Sequence, residues 1–279
     1  MFRDVAPLWD IAQVLRSRAA SARRTVSELE FGFQDLLEEV DALDKIVGPF
    51  CDPRSRTVLP QLVTELKSIR DNSAERSWTW GIRESNPFYT AVSRGAYQPD
   101  DQGADNVFAE ITSTWTIHRV PPRKKSEKAA RFMLTGNAST RVRLHREVPP
   151  GGDPAELAMW RAEIGDAVSP GCHFHMQVLG ETEEPPFPSS LDIPRLPALI
   201  VTPAAVVEYV VGELFQDNWL KHLGTQVANL NRWWPIQRRH LSALLAWQLG
   251  VVKDATGSPW GTLKKAKPDS HLFVASPST

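Results

Sequence analysis

Cysteine is scarce in this sequence. The 279 residues include two cysteines, Cys51 and Cys172, and no pair spaced as C-x-x-C. A small secreted scaffold held together by disulfides needs more cysteines than this, so that class of protein is excluded. The same scarcity favours a reducing compartment, and we predict a cytoplasmic protein.

Long apolar runs are missing as well. A membrane-spanning helix needs about 20 consecutive apolar residues. The most apolar stretch, LPALIVTPAAVVEYVVGELF, is interrupted by Pro203, Glu208 and Glu213. The opening MFRDVAPLWD also lacks the basic-then-apolar order of a secretion signal. We therefore expect no membrane partner, and the apolar stretch predicts a buried helix with its lead-in.

The common signatures of nucleotide-binding enzymes and hydrolases are absent too. The sequence contains no Walker A motif, no G-x-G-x-x-G and no G-x-S-x-G. These absences argue against a nucleoside-triphosphate motor, a Rossmann enzyme and a hydrolase with a nucleophilic serine. We expect no bound cofactor.

The composition is that of a globular protein with a core. Hydrophobic residues make up 42% of the chain and charged residues 23%, which is ordinary for a soluble domain. The net charge is −1, yet residues 119 to 146 hold nine basic residues and one acid, Glu127. This uneven distribution allows an anionic partner without requiring one.

The N-terminal region has a helical pattern. Thr25 and Glu28 fit a capping box, and an apolar seam with alternating steps of three and four runs from Val26 to Val47. The seam consists of Val26, Leu29, Phe33, Leu36, Val40, Leu43 and Val47. Two packing schemes fit it. One is an antiparallel hairpin with the apolar stripe of residues 8 to 15, and the other is self-association of two chains through the helix from Val26 to Val47.

Further along, the pattern changes from helical periodicity to alternation. The predicted strands are residues 107–120, 131–147, 157–164 and 172–179. Turn-rich links join them in order, so an antiparallel meander is the simplest topology. Residues 156–167 are also good helix formers, and a helix there is the open alternative.

Three more helices are predicted outside the strand region. They span residues 57–69, 203–223 and 235–249. Thr202 is a suitable N-cap for the second of these helices because Pro203 follows at the first helical position. Gly250 is the expected end of the third.

Together these elements predict an α+β fold. It comprises an N-terminal helical hairpin, a central antiparallel β-meander, and C-terminal helices packed on the sheet. The predicted divisions are a helical region over residues 1–74, an α+β domain over 75–252 and a loosely ordered tail over 253–279.

Polar residues collect on one face of the predicted sheet. In CHFHMQV, residues 172–178, alternation places His173, His175 and Gln177 on one side and turns Cys172 towards the apolar side. The same alternation in the neighbouring strands adds Arg141, Arg143, His145, Arg161 and Glu163 to the polar side.

Two explanations fit this face. An antiparallel sheet commonly leaves one side to water, so the face needs no function. However, a solvated surface is usually rich in Lys, Glu, Ser and Thr, whereas this face concentrates arginine and histidine beside a single glutamate. Arginine binds phosphate in a bidentate manner and stays charged, and histidine exchanges protons near neutral pH.

These residue types are the ones that metal-free RNA cleavage requires. A base removes the 2′-hydroxyl proton, an acid protonates the leaving oxygen, and cations stabilise charge on phosphorus. We predict His173, His175 and Glu163 as the acid and base groups, and Arg141, Arg143, Arg161 and Gln177 as the phosphate-binding residues. In residue types alone, the face is similar to that of small microbial ribonucleases and ribonuclease toxins, which carry Glu, Arg and His on an antiparallel sheet.

The run H-F-H-M-Q also resembles the H-φ-H-φ-Q variant of the histidine-triad superfamily, seen in hexose-1-phosphate uridylyltransferases. The resemblance covers this motif only. It implies that His175 attacks an α-phosphate and that Gln177 holds the nucleotidyl group. The helical blocks predicted on either side of the sheet differ from the order of elements in that family.

The same stretch resembles the start of the cupin metal signature, in which a glycine precedes H-x-H and a glutamate follows three or four residues later. Gly171 precedes His173 and His175, but Glu181 lies six positions after His175. No downstream glycine-proline-histidine motif follows. Because a third and a fourth ligand have no candidate, we predict no metal site.

A non-catalytic role is the second hypothesis. The segment NRWWPIQRRH, residues 231–240, interleaves aromatic and basic side chains, as proteins that bind single-stranded nucleic acid do. Trp233 and Trp234 could equally wedge a helix onto the sheet. Two functions therefore stay open: a metal-independent, ribonuclease-like or nucleotide-directed phosphodiesterase, and an interaction or nucleic-acid-binding subunit of a larger, bacterial-type assembly. RNA or a nucleotide is the expected partner of the first, and a nucleic acid or another protein that of the second.

Overall fold

The computed structural model describes residues 30–71, 77–97, 105–120, 131–148, 155–164, 174–179, 196–198, 201–253 and 258. Within these ranges the chain forms an eight-stranded antiparallel sheet with helices before and after it, so the predicted α+β class is confirmed. The helices are α1 (Phe33–Val47), α2 (Val58–Asp71), α3 (Pro203–Leu223) and α4 (Val227–Lys253). The strands are β1 (Glu30–Gly32), β2 (Ser77–Trp80), β3 (Phe88–Tyr89), β4 (Val107–Val120), β5 (Arg131–Arg146), β6 (Ala155–Ile164), β7 (Phe174–Leu179) and β8 (Leu196–Pro197).

The centre of the sheet is the predicted meander. Strands β4, β5, β6 and β7 pair consecutively and antiparallel, and β2 and β8 extend the order at either end. The helix considered for residues 156–167 is wrong for the part that β6 covers, because β6 pairs with β5 on one edge and β7 on the other. Cys172 and His173, predicted at the start of the last long strand, lie outside the described residues.

The first helix begins later than its seam predicted. Residues Glu30–Gly32 form β1 and pair with Met133, Phe132 and Arg131. The helical assignment of these three residues is therefore wrong. The physical reason is that this end of β5 has β4 on one edge and would otherwise leave backbone groups unpaired on the other. The predicted cap residues Thr25 and Glu28 lie outside the described residues.

The apolar seam of α1 packs into the core of its own chain. Its described members, Phe33, Leu36, Val40, Leu43 and Val47, are at most 4% exposed. Helix α1 packs against α2, α3 and α4. The pair α1–α2 is the described part of the N-terminal helical region, whereas the stripe of residues 8 to 15 lies outside it. These buried seam residues are unavailable for self-association in this folded state.

The helices and the apolar face of the sheet share one core. Buried side chains of α1, α2, α3 and the long strands form a single cluster. Its largest fully buried members include Trp80, Trp115, Trp233, Phe88 and Leu36. Trp80 and Trp115 meet edge to face, with ring centroids 6.2 Å apart. Among the described helices, none combines the length and apolarity required to cross a bilayer.

The C-terminal helices differ in how well their bounds were predicted. Helix α3 has the predicted bounds, and its N-cap is Thr202, whose Oγ1 accepts a hydrogen bond from the Ala205 backbone N–H at 3.2 Å. Helix α4 starts before Pro235 and continues through Gly250, so the predicted bounds 235–249 are wrong. Buried Leu230, Trp233 and Ile236 anchor this helix on both sides of the proline, and this tertiary packing overrides the local preference for a break.

Candidate functional site

The strand register brings most of the predicted site residues together. In one row Arg141 is the direct partner of Arg161, and Arg161 is the direct partner of Gln177. In the adjacent row Glu163 is the direct partner of His175. Direct partners in an antiparallel sheet have Cβ atoms about 5 Å apart and project to the same side. Polar residues at matching positions of the strand register are called the polar face here: Glu110, Thr112, Ser139, Arg141, Arg143, His145, Glu156, Arg161, Glu163, His175 and Gln177.

Alternation explains why these residues share a face. Between them lie Ile111 and Val142, which are fully buried on the core side, and Trp160, which packs against the core. Because every second residue must point into the core, the charged residues are turned to the opposite side. For His175 and Gln177 the structure describes the backbone position only, and His173 lies outside the described residues.

Each arginine of the polar face lies close to a carboxylate. Arg161 Nε is 3.1 Å from Glu163 Oε2, and Arg141 forms a 2.8 Å ion pair with Glu84 in the loop after β2. Arg143 lies 3.5 Å from Glu156 and 3.7 Å from Glu110. The sequence prediction counted a single acid among the basic residues, whereas the folded face has a near balance of charge.

This part of the molecule is neither core nor freely solvated surface. The side chains of Arg141 and Arg143 are 26% and 27% exposed, and that of Glu163 is 22% exposed. Partly buried ion pairs are screened less by water than fully exposed pairs. The arginines and carboxylates therefore hold one another in defined positions, which a binding site needs.

At the other end of the face, sequence reasoning placed His145 but missed its neighbours Glu110, Tyr89 and Phe108. His145 Nε2 is 3.7 Å from Glu110 Oε2, and the Tyr89 hydroxyl donates a hydrogen bond of 3.3 Å to the same oxygen. Phe108 stacks on the His145 ring with centroids 5.2 Å apart. Alternation along β4 could have placed Glu110 and Phe108 on this face. Tyr89 comes from the short strand β3, which carries no comparable sequence signal.

Tyr89 is held in its protonated form. Burial raises the pKa of the Tyr89 phenol, and the neighbouring Glu110 carboxylate raises the pKa further. A hydroxyl that keeps its proton remains a hydrogen-bond donor at neutral pH. The Arg54 guanidinium lies over this ring, 4.4 Å from its centroid.

A buried polar cluster also lies between the helices. Glu39 on α1 is 1% exposed, and its Oε2 is 3.4 Å from His240 Nδ1 on α4. Glu208 on α3 accepts a hydrogen bond from the Gln237 side chain. Burial, with a further contribution from Glu39, raises the pKa of Glu208 to about 7 even though the Gln237 hydrogen bond opposes the shift.

The aromatic and basic segment at residues 231–240 is largely occupied by the fold. Trp233 is fully buried, whereas Trp234 is 43% exposed. Arg239 forms a 2.7 Å ion pair with Asp35, and Arg232 lies 3.9 Å from Glu38. Arg232 and Arg239 of α4 thus lie near acidic residues of α1, and of the two tryptophans predicted either to wedge the helix or to bind nucleic acid, Trp233 alone is buried.

A cleft of about 520 Å³ lies where α1 ends, and Asp44, Cys51 and Arg56 are among its lining residues. Leu59 and Phe88 also line it, but both are core side chains that are at most 1% exposed. The cleft is therefore a shallow depression over the core. Burial raises the pKa of the Cys51 thiol to about 11, so this thiol stays protonated at neutral pH and is a poor nucleophile.

Among the described residues, no three His, Cys, Asp or Glu side chains are arranged to hold a metal ion. Comparison of the chain with protein-family models, curated proteins and solved structures found no match. Any functional proposal therefore rests on the geometry of the polar face.

Proposed function

We propose that the protein is a metal-independent phosphodiesterase that cleaves RNA on the polar face. The observation that supports the proposal is the register of β5, β6 and β7. It makes Glu163 the direct partner of His175, one row away from Arg141, Arg161 and Gln177. The residues proposed for proton transfer and for phosphate binding thus occupy neighbouring positions of the sheet.

In the proposed reaction Glu163 is the general base. Its carboxylate takes the proton of the 2′-hydroxyl, and the 2′-oxygen forms a bond to phosphorus. The bond between phosphorus and the 5′-oxygen breaks, and His175 in its imidazolium form gives a proton to that oxygen. The products are a 2′,3′-cyclic phosphate and a free 5′-hydroxyl, and no electrons are transferred. Each proton transfer by a positioned side chain contributes about 10²- to 10⁴-fold in rate.

The phosphate is held by the neighbouring row in this scheme. The guanidinium groups of Arg141 and Arg161 offer paired N–H donors that match two phosphate oxygens. Arg161 already contacts Glu163 at 3.1 Å, so the phosphate and the base are positioned by the same side chain. Arg143 and Gln177 complete the proposed phosphate-binding set.

The near balance of charge on the polar face has a consequence for affinity. The arginines lie near Glu84, Glu110, Glu156 and Glu163, so the face has little net positive field to attract a polyanion. Binding then depends on local geometry, and its salt dependence is shallower than that of a basic groove. RNA or a nucleotide is the proposed partner, and the cytoplasm is the proposed compartment.

The test uses purified protein in EDTA with single-stranded RNA and the same sequence as DNA. We expect cleavage of RNA only, with a cyclic phosphate product. Glu163→Gln and His175→Ala should each lower the rate by about 100-fold or more. Glu213→Gln is the matched control because Glu213 is an exposed residue of α3, and it should leave the rate unchanged.

A wild-type protein that leaves both RNA and nucleotide substrates intact would sink the proposal. Binding of RNA without cleavage would instead favour the nucleic-acid-binding subunit. Unchanged melting temperatures of the variants are required, so that a lost activity reports chemistry rather than unfolding.

A further inference from the structure

We propose that Tyr89 and Phe108, supported by the His145 ring stacked on Phe108, form a base-stacking subsite at the end of the polar face away from Glu163, so that the substrate is single-stranded RNA longer than a dinucleotide. This inference rests on the proposed function, because that proposal gives the position of the cleaved phosphate. The stacking itself depends on a separate group of residues.

The three rings form a continuous aromatic row. Phe108 and His145 are stacked at 5.2 Å with an interplanar angle of 21°, and Tyr89 is tilted against Phe108 at 6.4 Å. Phe108 and His145 are direct partners on β4 and β5, and Tyr89 pairs directly with Glu110. The row is therefore built on strand backbone, which fixes it firmly.

The row faces away from the core. Val107 and Ala109 flank Phe108 in β4, and they are 4% and 0% exposed because they point into the core. Phe108 and Tyr89 point the other way and are only partly buried. Aromatic rings displayed from an antiparallel sheet are a common means of holding single-stranded RNA.

Polar groups beside the row suit the edges and backbone of a nucleotide. Glu110 Oε2 lies 3.3 Å from the Tyr89 hydroxyl and 3.7 Å from His145 Nε2, and Arg143 lies 3.7 Å from the same carboxylate. The Arg54 guanidinium lies over the Tyr89 ring, 4.4 Å from its centroid, and adds a cation beside the aromatic row. Stacking between a base and an aromatic side chain is sequence-tolerant, since every base has a π-face.

The distance between the two ends sets the length of the substrate. His145 lies four positions along β5 from Arg141, which belongs to the row proposed to hold the phosphate. At about 3.3 Å per residue this is a span of about 13 Å. A dinucleotide with its phosphate at that row keeps both of its bases within one nucleotide of the phosphate and does not extend to His145. A longer single strand can run along β5 past Arg141 and Arg143 and stack a base at the far end.

The test measures binding of 2′-O-methyl oligonucleotides, which lack the attacking hydroxyl and stay intact. We expect fluorescence anisotropy to give a marked gain in affinity between the dinucleotide and the octanucleotide. Phe108→Leu keeps an apolar side chain but removes the aromatic ring. It should lower the affinity for the octanucleotide by about tenfold, because one stacked base contributes about 1–3 kcal/mol. Phe108→Tyr should retain the gain.

Trp234→Ala is the control, since Trp234 is an exposed aromatic residue on α4. Loss of affinity in Trp234→Ala with none in Phe108→Leu would overturn the subsite. Cleavage of a dinucleotide as efficiently as an octanucleotide, with no gain in binding, would also overturn it while leaving the phosphodiesterase intact. The opposite result, length-dependent binding lost in Phe108→Leu but no cleavage, would support the subsite and reject the enzyme.

Discussion

Glu208 is the residue at which the fold most changes ordinary side-chain chemistry. It lies between α3 and α4, and burial raises the pKa of its carboxyl from the ordinary 4.5 to about 7. The nearby Glu39 carboxylate adds to the shift because two like charges repel. The protonated form of Glu208 is therefore favoured by the folded state and not by the unfolded chain.

This shift predicts a pH dependence of stability. Between pH 4.5 and about 7 the folded state binds more protons at Glu208 than the unfolded state, so the free energy of unfolding falls as the pH rises through this window. The loss that Glu208 contributes is on the order of 3 kcal/mol. Glu208→Gln should remove it, since an amide cannot ionise and can still accept a hydrogen bond from Gln237.

The measurement is urea unfolding of wild type and Glu208→Gln at pH 5 and pH 8. The variant should gain stability relative to wild type at the higher pH. Exposed Glu213 supplies the control substitution, Glu213→Gln. Equal differences at both pH values would contradict the proposed ionisation of Glu208.

At the scale of elements, the crossing from β2 to β3 depends on a glycine. Gly81 has a φ of +148°, and a Cβ added there would lie 2.2 Å from the backbone oxygen of Ser113 in β4. The approach is close because Ile82 exchanges two hydrogen bonds with Ser113, at 2.8 and 3.0 Å. Only a residue without a side chain fits between them.

Gly81→Ala should therefore lower the free energy of unfolding by about 3 kcal/mol or more, through steric overlap and backbone strain. Gly48→Ala is a matched control, because a Cβ there meets nothing within 4 Å and the backbone is right-handed helical, with a φ of −45°. We expect it to change stability by less than about 1 kcal/mol. Thermal and urea unfolding would decide, and equal effects of the two substitutions would refute this account of Gly81.

Elements differed in how far sequence alone could predict them. Helix α3 has strong local signals, an N-cap threonine followed by proline, and its bounds were predicted correctly. Helix α4 has a proline in its interior, and the sequence prediction began the helix at that proline. The helical residues before Pro235 were missed because the burial of Leu230 and Trp233 stabilises them, and burial is a tertiary effect. Strand β1 was missed for a related reason, since its partner Met133 lies about a hundred residues away.

At the scale of the whole molecule, the described helices and the sheet share one core. Leu36 and Leu43 of α1 belong to the same buried cluster as Ile111 of β4 and Val207 of α3. A shared core makes separate unfolding of the N-terminal helices costly, because their removal would expose the apolar side of the sheet.

We therefore expect α1 and β4 to open together. Native-state hydrogen exchange read by mass spectrometry should give peptides from residues 33–47 and 107–120 similar free energies of opening. Destabilising Leu36→Ala should lower both by a similar amount, whereas a substitution at exposed Glu213 should lower neither. A large drop confined to residues 33–47 would mean that the helices unfold alone.

The candidate site could be predicted in part. Alternation alone put Arg141, Arg161 and Glu163 on one face, and the register confirmed them as neighbours. The carboxylates of Glu84 and Glu110 were not foreseen, because a loop and another strand deliver them. The net charge of a sheet face depends on residues from several strands and loops, so it cannot be predicted from any single segment of the sequence.

The sequence by itself determined the order of the described helices and of the four long strands, and the side of each long strand that faces the core, since both follow from side-chain periodicity and local capping. It also determined that charged residues must gather opposite that core. The tertiary structure decided which of them meet. Register, the pairing of β1 with β5 and the packing of α4 past Pro235 depend on contacts between distant residues. Side-chain periodicity and capping restrict which of these contacts are possible, but they do not determine which of them form.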